Sequence, residues 1–288
     1  MGSSVACVIT AGADRVDNLK RTLALAEQTA AQEVVVVLDG PEAWPIAEEL
    51  HWSSATIVFN QKHEPGKEQP RNIGARNIDS DADLIWFLDS DLVFEPQIVD
   101  VFLHAYSQGP PRILIGPYDW GSPGHTELGG TLEMADPRNA AFELYDEWDV
   151  ISEGSGSSRG EILGTGLACF GGNLVWPKRL FEEIGGFHPD LHHGRCEDGE
   201  LGLRAVEHGI PMSYVKAARA YHVWHPRNEQ WICKANEIDV PKLNRLHPWV
   251  QNDGLRVVPE DGLRFNFICP VCEESVNTGL YWSHYEQH

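Results

Sequence analysis

Four short apolar runs constrain this chain more than any other feature: VACVIT at 5–10, EVVVVL at 33–38, ATIVFN at 55–60 and LIWFL at 84–88. They are rich in β-branched residues and apolar without interruption, the pattern of strands buried on both faces. Between them lie segments of helical spacing. Residues 14–28 place Leu19, Leu23 and Leu25 on one apolar side, with Asp17 or Asp14 as the expected cap, and 71–78 suits a short helix. Strands alternating with helices in this way predict an α/β fold around a mostly parallel sheet with helices on both faces. Ligands of such sheets sit beyond the carboxyl ends of the strands. Asp39 closes the second run there, and Asp89-Ser90-Asp91 follows the fourth directly.

The second half reads differently. Gly116–Gly130 and Ser152–Gly166 are rich in Gly and Ser and read as long loops. Helices are expected at 178–184, after Pro177, and at 199–208, with a late strand at 215–223. From about residue 228 the chain reads as an extension, so the expected division is an α/β domain over 1–227 and a tail over 228–288. A chain of 288 residues has room for both.

Charge narrows the partners. There are 43 acidic residues against 22 basic ones, a formal net charge of −21. Such a chain repels nucleic-acid phosphates and anionic lipid, so an anionic substrate must be held by local Lys or Arg groups or by a metal cation. No apolar run approaches the roughly 18 residues of a membrane-spanning helix. The N-terminus lacks the basic start of a secretory leader. Cysteines 7, 169, 196, 233, 269 and 272 are scattered apart from the last pair. A reduced, cytoplasmic setting without membrane partners is therefore expected.

The Asp89-Ser90-Asp91 segment carries the central chemical expectation. If it is extended, residues 89 and 91 point the same way. Two carboxylates so placed suit a hard divalent cation, Mn²⁺ or Mg²⁺, that bridges diphosphate oxygens. Such an ion neutralises an anionic substrate and stabilises the departing diphosphate.

Gln69-Pro70-Arg71-Asn72-Ile73-Gly74-Ala75-Arg76, followed by LIWFLDSD, resembles the nucleotide-binding half of GT-A fold glycosyltransferases, particularly glycosyltransferase family 2. The resemblance implies a nucleoside diphosphate sugar donor, with a UDP-sugar favoured. It places Asp39 near the nucleobase or ribose and Arg71 on the nucleotide, with Asn72 and Ser90 beside them. Thr10-Ala11-Gly12-Ala13-Asp14 stands where those relatives carry Pro-Thr-Tyr-Asn, which loosens the nucleotide assignment.

A second constellation comprises Gly171-Gly172-Asn173, the segment Phe181–Phe187 and Glu197-Asp198-Gly199-Glu200-Leu201-Gly202-Leu203-Arg204. It is similar to the acceptor-side segment of β-1,4-galactosyltransferases, polypeptide N-acetylgalactosaminyltransferases and many bacterial family 2 enzymes. Together the two resemblances span roughly residues 5–227. They imply ligand contacts at Gly172 and Asn173, and a catalytic base at Asp198. Glu197 would orient the acceptor or a structural Arg. Retaining relatives carry Asn at the base position, so Asp favours inversion. His192-His193-Gly194-Arg195-Cys196 replaces the Trp-Gly-rich lead-in of the relatives, so acceptor recognition differs. Either His222 or His225 matches a third metal ligand, with His222 preferred, and an imidazole suits Mn²⁺ better than Mg²⁺. Trp224 serves either as a sugar platform or as core.

The tail ends in Cys269-x2-Cys272-x11-His284-x3-His288, a donor set able to close a tetrahedral structural Zn²⁺ site. From 269 to 288 there is no Lys or Arg, while Glu273, Glu274 and Glu286 are acidic. The cluster therefore reads as a staple or a protein-docking unit, not a nucleic-acid finger. The acceptor stays open: glycan, protein, small molecule or modified nucleobase. Two alternatives stand beside the leading one, a transferase acting on hydroxylated bases in DNA and an inert, zinc-tailed sugar-nucleotide-binding adaptor. Nucleotidyl transfer shares the sheet but gives Glu197-Asp198 no purpose.

Overall fold

The protein is described from a computed structural model that covers residues 2–61, 66, 68–116, 118–120, 149–150, 169, 171–191, 196–215, 217–223, 229–248, 258–260, 264–268 and 275–277. The four apolar runs are strands β1 (Val5–Ala11), β2 (Glu33–Asp39), β3 (Thr56–Asn60) and β4 (Leu84–Asp89). They pair in parallel in the order β3-β2-β1-β4. Their lack of alternation has a direct cause. On β1, Val5, Cys7 and Ile9 enter one core while Ala6 and Val8 enter the other, so neither face meets water.

Helices α1 (Val16–Ala26), α2 (Ile46–Glu49), α3 (Glu68–Arg76) and α4 (Ile98–Ser107) connect this half. Leu19 and Leu23 of α1 and Phe102 of α4 fill the first core, and Ala75 of α3 the second. The strands continue with β5 (Leu92–Phe94), β6 (Ile113–Ile115), β7 (Tyr118–Trp120), β8 (Asp149–Val150) and β9 (Asn173–Pro177). Then come α5 (Lys178–Glu183), α6 (Glu197–Glu207), β10 (Met212–Tyr214), β11 (Ala220–His222) and α7 (Glu229–Leu246). The main sheet is ordered β3-β2-β1-β4-β9-β6-β10-β8. β9 runs antiparallel to both β4 and β6, which makes the sheet mixed. A second small sheet, β5-β11-β7, sets His222 opposite Leu92, one residue past Asp91.

Several boundaries differ from the sequence expectation. Neither Asp14 nor Asp17 caps α1: a 3₁₀ turn over Ala13–Arg15 leads in, and Arg15 holds the cap position without a side-chain bond. α3 begins three residues before 71, because Pro70 in a first turn forfeits only an N–H with no helical partner. Of the late strand expected at 215–223 only Ala220–His222 is strand, preceded by a turn in which Ala218 N–H donates to Val215 O; the neighbouring β10 (Met212–Tyr214) lies before the expected range and in the other sheet. Most of the two Gly/Ser-rich loops lies outside the described residues.

The tail begins as part of the body. Val240 and Leu243 of α7 are buried, and His247 just beyond it sits 2.9 Å from Glu207 Oε1 and 3.3 Å from Glu200 Oε1. Burial works against charge on His247, but hydrogen bonds to Glu200 and Glu207 outweigh it and raise the pKa. β12 (Val258–Glu260), β13 (Arg264–Ile268) and β14 (Ser275–Asn277) form their own antiparallel sheet. Among the described residues no helix is long and apolar enough to cross a membrane.

Gly74 sets how closely α3 approaches the sheet. A Cβ there would lie 2.3 Å from Val8 Cγ1 and 3.1 Å from Val37 Cγ2. Gly74→Val is expected to destabilise the fold by about 3 kcal/mol, since overpacking outweighs the small gain in helix propensity. Urea denaturation checks this as a lower midpoint at unchanged slope.

Candidate active site

The site lies where the carboxyl ends of β1, β2 and β4 meet α3 and α6. Asp39 at the end of β2 is half-buried, and its Oδ1 accepts a hydrogen bond from Asn60 Nδ2 at 2.7 Å. Asn60 also donates to Gln69 Oε1 at 3.1 Å, so β2, β3 and the start of α3 share one polar knot.

Beyond β4 the chain does not stay extended. Ser90 and Asp91 form a turn into β5, so strand alternation does not align the two carboxylates as expected. Different cations hold them instead. Asp89 Oδ1 accepts from Arg71 Nη2 at 3.0 Å, and Asp91 Oδ2 from Arg15 Nη1 at 2.9 Å. His222 Nε2 lies 3.3 Å from Asp91 Oδ1. The turn is pinned from three sides. Thr22 Oγ1 of α1 reaches Ser90 O and Leu92 O at 3.0 and 2.8 Å. Val223 N–H donates to Asp91 O at 2.8 Å, and Asp89 N–H to Gly172 O at 2.9 Å. Ser90 itself is buried.

Arg71 ties this donor side to α6. Its side chain is 3 % exposed, and its Nη1 donates to Glu197 Oε1 at 3.2 Å. Its guanidinium stands 5.3 Å from the Phe187 ring centroid. Burial pulls the Arg71 pKa down, but the carboxylates of Asp89, then Glu197 and Asp198, outweigh it and hold it raised. Glycine at 171 is what lets the loop before β9 cross this guanidinium, since a Cβ there would sit 2.4 Å from Arg71 Nη1. From that loop Gly171 N–H donates to Asp198 Oδ2 at 3.0 Å, and Gly199 N–H donates to Asp198 Oδ1 at 2.8 Å. Asp198 is thus oriented by backbone amides while it remains partly open to solvent.

Two residues expected at the ligand also join segments of the chain. Asn173 is fully buried: its Oδ1 accepts from Trp86 Nε1 at 2.9 Å and its Nδ2 donates to Ala218 O at 2.8 Å. Asn72 exchanges two 2.9 Å bonds with the Phe187 backbone. Each amide thus donates one and accepts one hydrogen bond within the chain. Arg71 is enclosed and bridges two carboxylates. His225, Trp224 and the donors Cys269, Cys272, His284 and His288 lie outside the described residues.

The donor set suits an open metal site. Among the described residues no group of three His, Cys, Asp or Glu side chains converges into a metal cage. Asp91 and His222, 3.3 Å apart, pair a carboxylate oxygen with an imidazole nitrogen, donors that a divalent ion accepts. The guanidiniums of Arg15 and Arg71 already supply positive charge to these acids.

The sequence reading missed Arg15 and Glu68. Arg15 lies just past the carboxyl end of β1, where a ligand is expected, and that position was its available signal. Glu68 opens α3 with 1 % exposure, and its Oε2 has no hydrogen-bond partner among the described residues. Burial, with Glu197 adding to it, pushes its pKa up to about 8 against the opposing backbone hydrogen bonds. No sequence periodicity announces such a carboxyl.

The α/β fold with a mostly parallel central sheet is like that of GT-A glycosyltransferases. Solved structures agree on the fold. GalNAc-T7 with UDP, GalNAc and Mn²⁺ is similar at a TM-score of 0.56 and 14% identity, over 88% of this chain and 51% of that one. TarS residues 1–349 from S. aureus give 0.54 and 14%, over 87% and 74%. A mycobacterial protein gives 0.56 and 18%, over 92% and 83%. Two curated relatives, validoxylamine A glucosyltransferases of Streptomyces hygroscopicus subsp. jinggangensis (strain 5008) and subsp. limoneus, are each 28% identical over 190 residues. The match covers 62% of this chain but only 44% and 41% of theirs, less than half of each relative. The family model for glycosyl transferase family 2 matches residues 7–159, more than half of the chain. The protein belongs to glycosyltransferase family 2.

Two stability measurements probe the site. Arg71→Met leaves Asp89 and Glu197 buried without their shared cation, so a loss of about 3–5 kcal/mol is expected in urea denaturation. Adding Glu197→Gln should recover part of it. For Glu68, a folded pKa above the unfolded value means that its stabilising contribution is complete below about pH 4.5 and lost as pH rises toward 8. Glu68→Gln is expected to remove a decline of up to about 1.4 kcal/mol per pH unit across that window, read as denaturation midpoints against pH.

Proposed function

We propose that the protein is a metal-dependent, inverting glycosyltransferase that moves a sugar from a nucleoside diphosphate sugar, with a UDP-sugar favoured, to an acceptor hydroxyl. The observation that carries this reading is the placement of Asp198. Two backbone amides aim its carboxylate, and Arg71 lies between the adjoining Glu197 and the strand-end Asp89.

In this mechanism Asp91 and His222, with Asp89, would hold a divalent ion, Mn²⁺ favoured over Mg²⁺ because one ligand would be imidazole. Once bound, the ion supplies positive charge to the diphosphate leaving group. Asp39 and the Ser90 region receive the nucleoside, and the backbone of Gly172 borders the sugar. Asp198 accepts the acceptor hydroxyl proton as that oxygen attacks the anomeric carbon. The bond to the diphosphate breaks on the opposite side, so the configuration inverts. Glu197 holds Arg71, and through it the geometry between the donor and acceptor sides.

GalNAc-T7 in its solved complex carries UDP and Mn²⁺, which supports the donor class and the ion. The names of the curated relatives support trying glucose donors first, with validoxylamine A as an acceptor. We further propose a structural Zn²⁺ at Cys269, Cys272, His284 and His288, a division into a transferase domain over 1–227 and a tail over 228–288, and a cytoplasmic setting.

A panel of UDP-, GDP- and dTDP-sugars with Mn²⁺ tests the reading. Nucleoside diphosphate release should require the ion, stop with EDTA and return on re-addition. Asp198→Asn should cut transfer about 10²–10⁴-fold while nucleotide binding persists. Full activity in EDTA, or in Asp198→Asn, would overturn it.

A further inference from the structure

We infer that Arg15 is a resident counter-ion on Asp91 which the incoming metal–diphosphate pair must displace, so that Arg15 makes metal binding conditional on the donor. The inference rests on the metal-dependent reading and adds a positioning residue to it.

The geometry separates the two arginines of the site. Arg71 is enclosed and shared between two buried carboxylates, so it is locked. Arg15 is different. Its Nη1 lies 2.9 Å from buried Asp91, whereas its Nε lies 3.0 Å from Asp14 Oδ2, on a side chain that is 77% exposed. It stands on the 3₁₀ turn directly past β1, and its own side chain is 23% exposed. One end of the guanidinium thus grips an acid that a metal would need, and the other grips an acid at the surface. Arg15 can release the first and keep the second.

Electrostatics makes the exchange obligatory. A divalent ion and a guanidinium on one carboxylate repel each other strongly where water is scarce. Metal arriving alone therefore has to break the Arg15–Asp91 bond without replacing it. Metal arriving with a diphosphate brings acceptor oxygens to the freed Nη1, a charge-assisted contact that offsets the loss. The result is positive coupling between metal and nucleotide, and by linkage each ligand strengthens the other equally. Asp14 is the anchor that keeps the displaced guanidinium beside the site.

Calorimetric titration of Mn²⁺ into the full chain, with and without saturating UDP, tests this. The wild type should bind Mn²⁺ weakly alone and more tightly with UDP. Arg15→Gln should bind Mn²⁺ alone about tenfold more tightly, and the enhancement by UDP should shrink by about the same factor. Arg15→Lys should retain part of the wild-type coupling. Asp14→Asn, at an exposed position, leaves Arg15 leaning on Asp91 alone and should weaken Mn²⁺ binding severalfold without nucleotide. Unchanged or weaker Mn²⁺ affinity in Arg15→Gln of wild-type melting temperature overturns the inference while leaving metal dependence intact. If Arg15→Gln does not fold, unchanged affinity in Asp14→Asn overturns it. Wild type that binds no Mn²⁺ even with UDP, GDP or dTDP overturns both.

Discussion

The buried guanidinium of Arg71 joins parts of the chain that are 126 residues apart in sequence, the start of α3 and the start of α6. One hydrogen bond goes to Asp89 at the end of β4 and one to Glu197. Both acids are nearly excluded from water, and an unpaired carboxylate in such surroundings costs several kcal/mol. A single cation serving two of them holds the donor-side turn and the acceptor-side helix at a fixed separation. The loop before β9 is shaped around it: a glycine at 171 passes over the guanidinium and hands its amide to Asp198. Remove the charge, and the reason for the placement of three segments disappears together.

Charge balance governs the rest of the site in the same way. The chain as a whole is strongly acidic, with a net charge of −21, and its site concentrates acids at the carboxyl ends of the strands. Each of the two strand-end acids has a guanidinium in place, one enclosed and one near the surface. The enclosed pair fixes geometry, and the outer pair leaves a carboxylate available for exchange. An acidic protein can hold an anionic ligand when such local cations outweigh the long-range field, because a contact at hydrogen-bond distance is screened far less than one across the surface.

Much of the fold was legible. Apolar runs announced β1, β2 and β4 because strands buried on both faces leave little room for polar residues, and β3, the edge strand with Thr56 and Phe59 exposed, by its β-branched content. Motif order located Asp39, Asp89, Asp91, Glu197 and Asp198, and the strand-end rule placed the first three at the ligand edge. The rest was hidden for identifiable reasons. That Asn72 ties α3 to the Phe187 backbone and Asn173 ties β9 to Trp86 and Ala218 has no mark in the sequence, because a side-chain amide has the same letter whatever its partner. The late strand was expected too early and too long, at 215–223, because the apolar residues of the turn before Ala220–His222 read like strand residues, and only pairing shows where the strand begins.

By itself the sequence determined the parallel half of the sheet, the order of the motifs and the sign of the charge, since these depend on local periodicity and composition. Tertiary structure alone decided which acid meets which cation. Arg15 and Asp91 are 76 residues apart, and no spacing rule links them. Their contact exists because β1 and β4 are neighbours in the sheet and both end at the same edge. Partnership between charges is a property of distance in space, and the chain states that only once its strands are paired.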